Sequence, residues 1–421
     1  MRQRIVRTQR QTLSPENATD FHTMTMPTNT SPETSESAIA RIETMLSIFP
    51  FRSIGNPSES ILKSAYHGAD ARPRYPRAKR FLLVASLVFA WGHGTPAMAV
   101  SASAQQTGNR LVQENTTQTG VQVKIETFQL DDANAIRAAG FAFVRFGVWV
   151  DRLNDVAYRD RVARAFHIAA SAGLPVLVTV RSTQPLIGIS TAATGRPRAL
   201  EAAGLRFAQS VEQLARTFGS GMLAIELWNE PDLEKYWPTG NVSSTFGPFM
   251  SAVCAHLRTH PPGLPVIGFG FSRAPQPDSA QDALLRAATH GYASCVDAVS
   301  YHAYGMTASA IREVARDVRK RYGMPAVITE WGVPSEGIAD GNGTDAQARR
   351  VRTFLATLDR NATPLVSLYE WKDTRSGTNS RERSYGLVSA NGDPKPALAA
   401  ARASLRAARG DTTGSLKATG P

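Results

Sequence analysis

The sequence predicts an α/β chain built on a single (β/α)8 TIM barrel, and two observations carry that prediction. From residue 119 onward, eight short apolar runs alternate with eight amphipathic runs over about 290 residues. No G-x-G-x-x-G or Walker A pattern follows an early strand, as a doubly wound nucleotide-binding sheet would usually require.

The predicted strands are Val121–Thr127, Phe141–Gly147, Pro175–Val180, Met222–Trp228, Pro265–Gly270, Val296–His302, Pro325–Glu330 and Pro364–Trp371. They are short, often rich in Val and Ile, and several follow Gly or Pro. Helical periodicity fills the gaps at Asp131–Ala139, Asp155–Ala172, Leu200–Phe218, Thr245–Thr259, Gln281–Thr289, Ala308–Arg321 and Asp345–Asp359. A last helix follows Asp393, with Pro394 and Pro396 near its start. The barrel domain is expected to span 119–408, with a frayed tail after it.

The region before the barrel reads differently. Residues 1–71 are rich in Ser, Thr, Pro, Asn and Arg and predict disorder. Within 72–104, a basic block ending at Arg80 precedes the twelve-residue apolar run Phe81–Gly92 and two A-x-A patterns. That is the layout of a secretory signal peptide. Its distance from Met1 implies an unusually long leader or a true start further downstream. An uncleaved membrane anchor is the alternative, though twelve apolar residues are short for a span. Either way the barrel is expected outside the cytoplasm, secreted or periplasmic, after passing the membrane.

The net charge is +12. Residues 1–104 contribute +5, and the remainder +7, which makes the barrel mildly basic. Such a balance suits an anionic polysaccharide or nucleic acid. No basic run interleaved with aromatics appears after residue 104, so no nucleic-acid partner is expected. The two cysteines, Cys254 and Cys295, have no metal-ligand spacing. They are a disulfide or two buried thiols, and no metal or organic cofactor is expected. The chain is expected to be a monomer.

In barrels of this kind, reactive groups sit at the C-terminal ends of the strands. Strand four closes in Trp228-Asn229-Glu230-Pro231, and strand seven in Thr329-Glu330-Trp331-Gly332. Two carboxylates across one barrel mouth suit glycosidic bond hydrolysis, in which one protonates the leaving oxygen and the other attacks the anomeric carbon or activates water. A separation of about 5 Å would favour retention, and a wider one inversion. Aromatics at strand ends or just beyond them, Trp149, Tyr236, Trp237 and Trp331, are candidate walls of a sugar cleft. Glu226 sits mid-strand and reads as an interior hydrogen-bonding group. Glu370 neighbours Trp371, and alternation along a strand should point the two in opposite directions.

The stretch Ile225–Leu233 (IELWNEPDL), taken with Val327–Gly332 (VITEWG), resembles clan A glycoside hydrolases. The likeness is greatest to family 39, including bacterial enzymes that cut exopolysaccharide, with family 5 cellulases next. It spans roughly residues 119–405. The resemblance implies Glu230 as acid/base and Glu330 as nucleophile of a retaining hydrolase acting on a β-linked glycan. It further implies Arg145 supporting the nucleophile, Asn229 on the sugar 2-hydroxyl, and His302 and Tyr304 as a polar pair, with Tyr304 bonding the nucleophile. Trp371 would stack on the sugar at the cleavage point. The expected partner is a polysaccharide or oligosaccharide, cut internally. An exo-acting β-xylosidase-like enzyme and a non-catalytic glycan-binding barrel of polysaccharide export are the rivals.

Overall fold

The computed structural model describes residues 117–189, 195–289, 295–336, 343–359 and 362–415. The chain divides into two units, Met1–Phe89 and Ala90–Pro421, and all described residues belong to the second. The disordered extension and the signal peptide read from the sequence lie outside the described residues.

Eight parallel strands close into a barrel in sequence order. They are β1 (Gln118–Gln122), β2 (Phe143–Trp149), β3 (Val176–Arg181), β4 (Met222–Leu227), β5 (Val266–Phe271), β6 (Ala298–His302), β7 (Ala326–Trp331) and β8 (Leu365–Leu368). The helices are α1 (Leu130–Ala139), α2 (Val156–Ser171), α3 (Gly195–Phe218), α4 (Val242–Thr259), α5 (Ala280–Thr289), α6 (Ala308–Tyr322), α7 (Thr344–Thr357) and α8 (Pro396–Ser415). A one-turn helix at Ser380–Arg383 interrupts the connection from β8 to α8. Local signals set several helix ends. Asp155 caps α2 by accepting from the amides of Ala157 and Tyr158. Gly323 ends α6 in the left-handed conformation.

Two strands differ from expectation. The apolar alternation of Val121, Val123 and Ile125 predicted a strand running to Thr127, and burial alternates as far as Glu126. The ladder nevertheless stops at Gln122, because the amides of Thr127 and Phe128 turn back onto the Lys124 carbonyl. β8 stops at Leu368 rather than Trp371. Beyond it, the Trp371 amide reaches across to the Gln122 carbonyl.

The barrel interior is layered. Phe143, Leu177, Ala224, Ile267, Ala298, Val327 and Leu365, one from each of β2 to β8, form a buried apolar cluster. β1 contributes Gly120, where a Cβ would lie 2.3 Å from the Phe143 ring, so glycine leaves the room that phenylalanine fills. Two residues further along each strand, side chains again face inward. The layer there comprises Gln122, Arg145, Thr179, Glu226, Ser300, Thr329 and Ser367, with Gly270 facing it from β5 while Phe269 packs outward on Phe246 of α4, and it is mostly polar. Cys254 on α4 and Cys295 before β6 are bridged by a disulfide. Among the described residues, no helix is long and apolar enough to cross a membrane.

Candidate active site

The polar layer is organised by Arg145, which is 1% exposed. Its Nη1 donates to Glu330 Oε1 at 2.6 Å and to Gln122 Oε1 at 2.7 Å. Its Nε and Nη2 both donate to Glu226 Oε2, at 3.0 and 2.7 Å, and Nη2 also donates to Asn229 Oδ1 at 2.9 Å. Thr179 adds its hydroxyl to Glu226 Oε2 at 2.7 Å. Burial alone would lower the Arg145 pKa, but the charges of Glu226 and Glu330 outweigh it and raise the value. The guanidinium therefore stays a cation.

Strict alternation from Val327 and Thr329 would turn Glu330 away from the barrel axis. A register shift between Ile328 and Trp331 in the β7–β8 pairing re-aims it. Glu330 then faces Arg145 on one side and receives the Tyr304 hydroxyl on Oε2 at 2.9 Å on the other. Burial pushes its pKa up, but His302, Arg145 and Tyr304 together push it further down, so the net shift is below the ordinary carboxylate value.

Glu230 lies just past β4. Trp228 and Glu230 both adopt positive φ, 75° and 51°, a conformation that costs a non-glycine residue free energy and must be held by its surroundings. The holding groups are visible. The Trp228 ring packs among Phe207, Trp237 and Phe249, and its Nε1 donates to the Tyr236 carbonyl. The Glu230 amide donates to the Gly270 carbonyl at 2.8 Å. Gly270 has φ 57°, and a Cβ there would lie 3.0 Å from Glu226 Oε1, so the approach of β5 to β4 requires glycine.

His302 joins the two carboxylates. Its Nδ1 is 2.9 Å from Glu230 Oε1 and 3.5 Å from Glu330 Oε2, so these two oxygens are at most about 6.4 Å apart. Burial lowers the His302 pKa, but Glu330 and Glu230 outweigh it and raise the value. A protonated ring donates from Nδ1 to Glu230. Burial and the Glu330 charge hold the Tyr304 pKa well above its usual value, so the phenol keeps its proton and donates.

A cleft of about 550 Å³ opens over these groups, lined by Arg145, Asn229, Glu230, Tyr304, Glu330 and Trp149 among others. The structure thus brings six residues singled out from sequence to one cleft, with His302 against both glutamates. Tyr236 also lines the cleft. Three expected aromatics are elsewhere. Trp371 is 3% exposed and packs in the core, its Nε1 donating to Asp132 Oδ1 on α1 at 3.0 Å. It does not line the cleft, because β8 ends three residues earlier than the sequence suggested; Tyr369 occupies the mouth instead. Trp331 faces outward, stacked on Phe354 of α7 at 3.7 Å between ring centroids, because the register shift that turns Glu330 inward turns its neighbour out. It lines an adjoining groove rather than the cleft. Trp237 is core as well.

Several cleft residues were missed. Arg181 closes β3, and the strand-end rule that selected the two glutamates could have found it. Tyr369, Arg381 and Tyr385 come from the β8–α8 connection, which carries no periodic signal. Glu370 is buried beside the site, with Lys124 Nζ at 3.1 Å. Among the described residues, no group of three or more His, Cys, Asp or Glu is placed to hold a metal ion.

A closed parallel barrel with glutamates ending its fourth and seventh strands is the layout of the clan A glycoside hydrolases that the sequence resembles. Residues 283–401, which include Glu330, match a family described as "Glycosyl hydrolase catalytic core". No curated protein matches the sequence. Solved structures similar to the chain include a family 39 glycoside hydrolase from the gut symbiont Bacteroides cellulosilyticus WH2, at 16% identity and a TM-score of 0.53, covering 69% of this chain and 64% of that one. An exo-β-1,4-mannosidase from Opitutaceae bacterium strain TAV5 follows, at 17% identity and 0.51, covering 69% and 59%. A GH5_18 protein from Streptomyces cattleya, solved with GlcNAc, aligns at 16% identity and 0.51, covering 70% and 80%. This chain spans less than two thirds of the first two proteins' length. At such identities the likeness concerns the fold.

Proposed function

We propose that the chain is a retaining glycoside hydrolase that cleaves a β-linked polysaccharide internally, with Glu330 as nucleophile and Glu230 as acid/base. The observation that carries this reading is the shared imidazole. It puts an upper limit of about 6.4 Å on one pair of facing carboxylate oxygens, which accommodates the roughly 5–5.5 Å spacing at which one carboxylate acts as nucleophile.

In the first step Glu330, kept ionised by His302, Arg145 and Tyr304, attacks the anomeric carbon. The C–O bond to the leaving group breaks, and the departing oxygen takes the proton of Glu230. In the second step Glu230 takes a proton from water, the hydroxide attacks the same carbon, and Glu330 leaves as a carboxylate. Two inversions keep the configuration. Asn229 stands between Arg145 and the cleft, where its amide can reach a sugar hydroxyl. The cleft adjoins a second groove of about 1020 Å³ that shares Tyr304, Arg381 and Tyr385 with it. This extended opening favours a chain lying across the mouth over a single terminal sugar.

We further propose that the protein works outside the cytoplasm. The Cys254–Cys295 disulfide fits an oxidising compartment, and a reporter fused after residues 72–104 should be exported.

The test incubates the full chain with β-glucans, xylans, mannans, polyuronides and the producing cell's exopolysaccharide, with Glu330→Gln beside it, counting reducing ends. Release should fall by about 10⁴-fold or more in the variant, as when a catalytic nucleophile is removed. The first-formed anomer, read by NMR, should keep the β configuration. Equal release by both proteins, or an inverted anomer, would sink the reading.

A further inference from the structure

One cation in the cleft has no part in the reaction above. Arg181 ends β3 and lines the same cavity as Glu230 and Glu330. Its guanidinium carbon lies 3.7 Å from the Trp149 ring centroid and 6.0 Å from that of Tyr236. Unlike Arg145, which meets two carboxylates, Arg181 makes no hydrogen bond or ion pair with any described residue. Burial lowers its pKa, and the neighbouring charge of Arg145 lowers it further. Tyr236 and the charges of Glu330 and Glu230 pull the other way without offsetting burial, and none of them forms an ion pair with the guanidinium, so a mostly buried cation is left able to take an anion that arrives with the ligand. With one face of the fork covered by Trp149, its N–H groups remain free to bind in their own plane, the geometry that matches a carboxylate.

A second observation comes from the other side of the mouth. The adjoining groove carries Arg312, Arg349, Arg350 and Arg381, and none of the residues lining it is Asp or Glu. None of the first three makes a hydrogen bond or ion pair with any described residue. Cations therefore flank the two catalytic glutamates in both directions along the opening.

We propose that the glycan cleaved here is anionic, built with uronic-acid sugars, and that Arg181 takes the carboxylate of the sugar at or beside the scissile bond. This rests on the hydrolase reading above and narrows it to a substrate class. The 6-carboxylate of a pyranose is coplanar with the fork when it docks, whereas a neutral hydroxymethyl group at the same carbon leaves the cation unpaired.

The experiment uses the full chain with β-linked oligomers of glucuronic, galacturonic and mannuronic acid, each beside its carboxyl-reduced counterpart and a sulfated neutral oligomer. Binding is measured with the Glu330→Gln protein, and cleavage with the native one. At least one acidic oligomer should be bound and cut in preference to its reduced form. Arg181→Gln should lower that preference by about 10- to 100-fold, the scale of a hydrogen bond to a charged group. Arg181→Lys should keep part of it, retaining the charge and losing the fork. Because the Arg181 side chain makes no ion pair and touches only the Trp149 and Tyr236 rings, Arg181→Gln should lower the thermal midpoint little, unlike loss of a structural ion pair.

Four outcomes would overturn the proposal: no preference for any acidic oligomer, a preference that Arg181→Gln leaves intact, a thermal midpoint in that variant lowered as far as by loss of the Arg145 ion pairs, or a preference for the sulfated sugar. Acidic oligomers bound through Arg181 but never cut would retain the ligand class and overturn the hydrolase. Cleavage confined to reduced oligomers would do the reverse.

Discussion

The floor and the mouth of this barrel are built from the same strands two residues apart, yet they obey opposite rules. The floor is Phe143, Leu177, Ala224, Ile267, Ala298, Val327 and Leu365, held by shape alone, with Gly120 cut away to seat the phenylalanine ring. One step up, Arg145, Thr179 and Glu226 are equally dry but held by charge and hydrogen bonds. The same right of entry to the interior, given by strand alternation, thus serves packing below and chemistry above. The floor can be insulated from the reaction. The layer above it cannot, because Arg145 touches Glu330 directly.

Paired substitutions would break this comparison if it is wrong. Arg145→Met leaves Glu226 and Glu330 as buried carboxylates without their cation, so it should cost about 3–5 kcal/mol of stability. Leu177→Ala, one layer down, should cost a similar amount, about 2–5 kcal/mol, by opening a cavity. Denaturant unfolding would therefore rank the two variants close together. The pH profile of turnover should separate them. Without Arg145 the Glu330 pKa rises, and the acid limb moves to higher pH, whereas Leu177→Ala should leave that limb in place. An unmoved acid limb in Arg145→Met would mean that His302 and Tyr304 suffice to keep Glu330 ionised.

Glu370 sharpens the contrast from the rim. Like Glu226 it is buried, but the cation it meets among the described residues, Lys124, is partly solvated, and burial dominates to raise its pKa to about 7. A raised acid pKa means that the folded state holds a proton the unfolded chain has released. Its contribution to stability is present below the ordinary value of 4.5 and is lost as pH climbs to about 7. The size of that loss is about 3 kcal/mol. Glu370→Gln, uncharged at every pH, should flatten the decline, and thermal midpoints between pH 4.5 and 8 would show it. A decline of the same depth in the variant would place its origin in another group, with His302 the first candidate. The His302 pKa is also raised, so its contribution is likewise lost as pH rises through the folded value.

Most of the architecture was legible because it rests on local signals. Short Val- and Ile-rich runs gave each strand, and apolar periodicity gave the helices between them. Glu230 and Glu330 were legible because a strand-end rule needs only the strand order. What was not legible depends on pairing. The register shift after Ile328 decides that Glu330 faces in and Trp331 out, and no run of single residues encodes which partner a strand slips against. The turn at Lys124 and the early end of β8 likewise follow from cross-barrel hydrogen bonds. Arg181 obeys the same strand-end rule, but a single arginine there, unlike a pair of carboxylates, does not by itself specify a reaction.

Trp371 and Tyr369 supply the smallest test, and the one that most directly separates rim from core. Trp371 is packed in the core and donates to Asp132, which Lys372 also grips at 2.8 Å. Trp371→Phe keeps most of the apolar contact and deletes one hydrogen bond to a charged group, so stability should fall by about 1–3 kcal/mol. Cleavage kinetics should be unchanged, since the ring does not line the cleft. Tyr369→Ala should act the other way, weakening KM by removing a cleft wall while costing the core little. If Trp371→Phe instead weakened KM with its unfolding midpoint intact, the indole would belong to the sugar site after all, and the end of β8 would have to be redrawn.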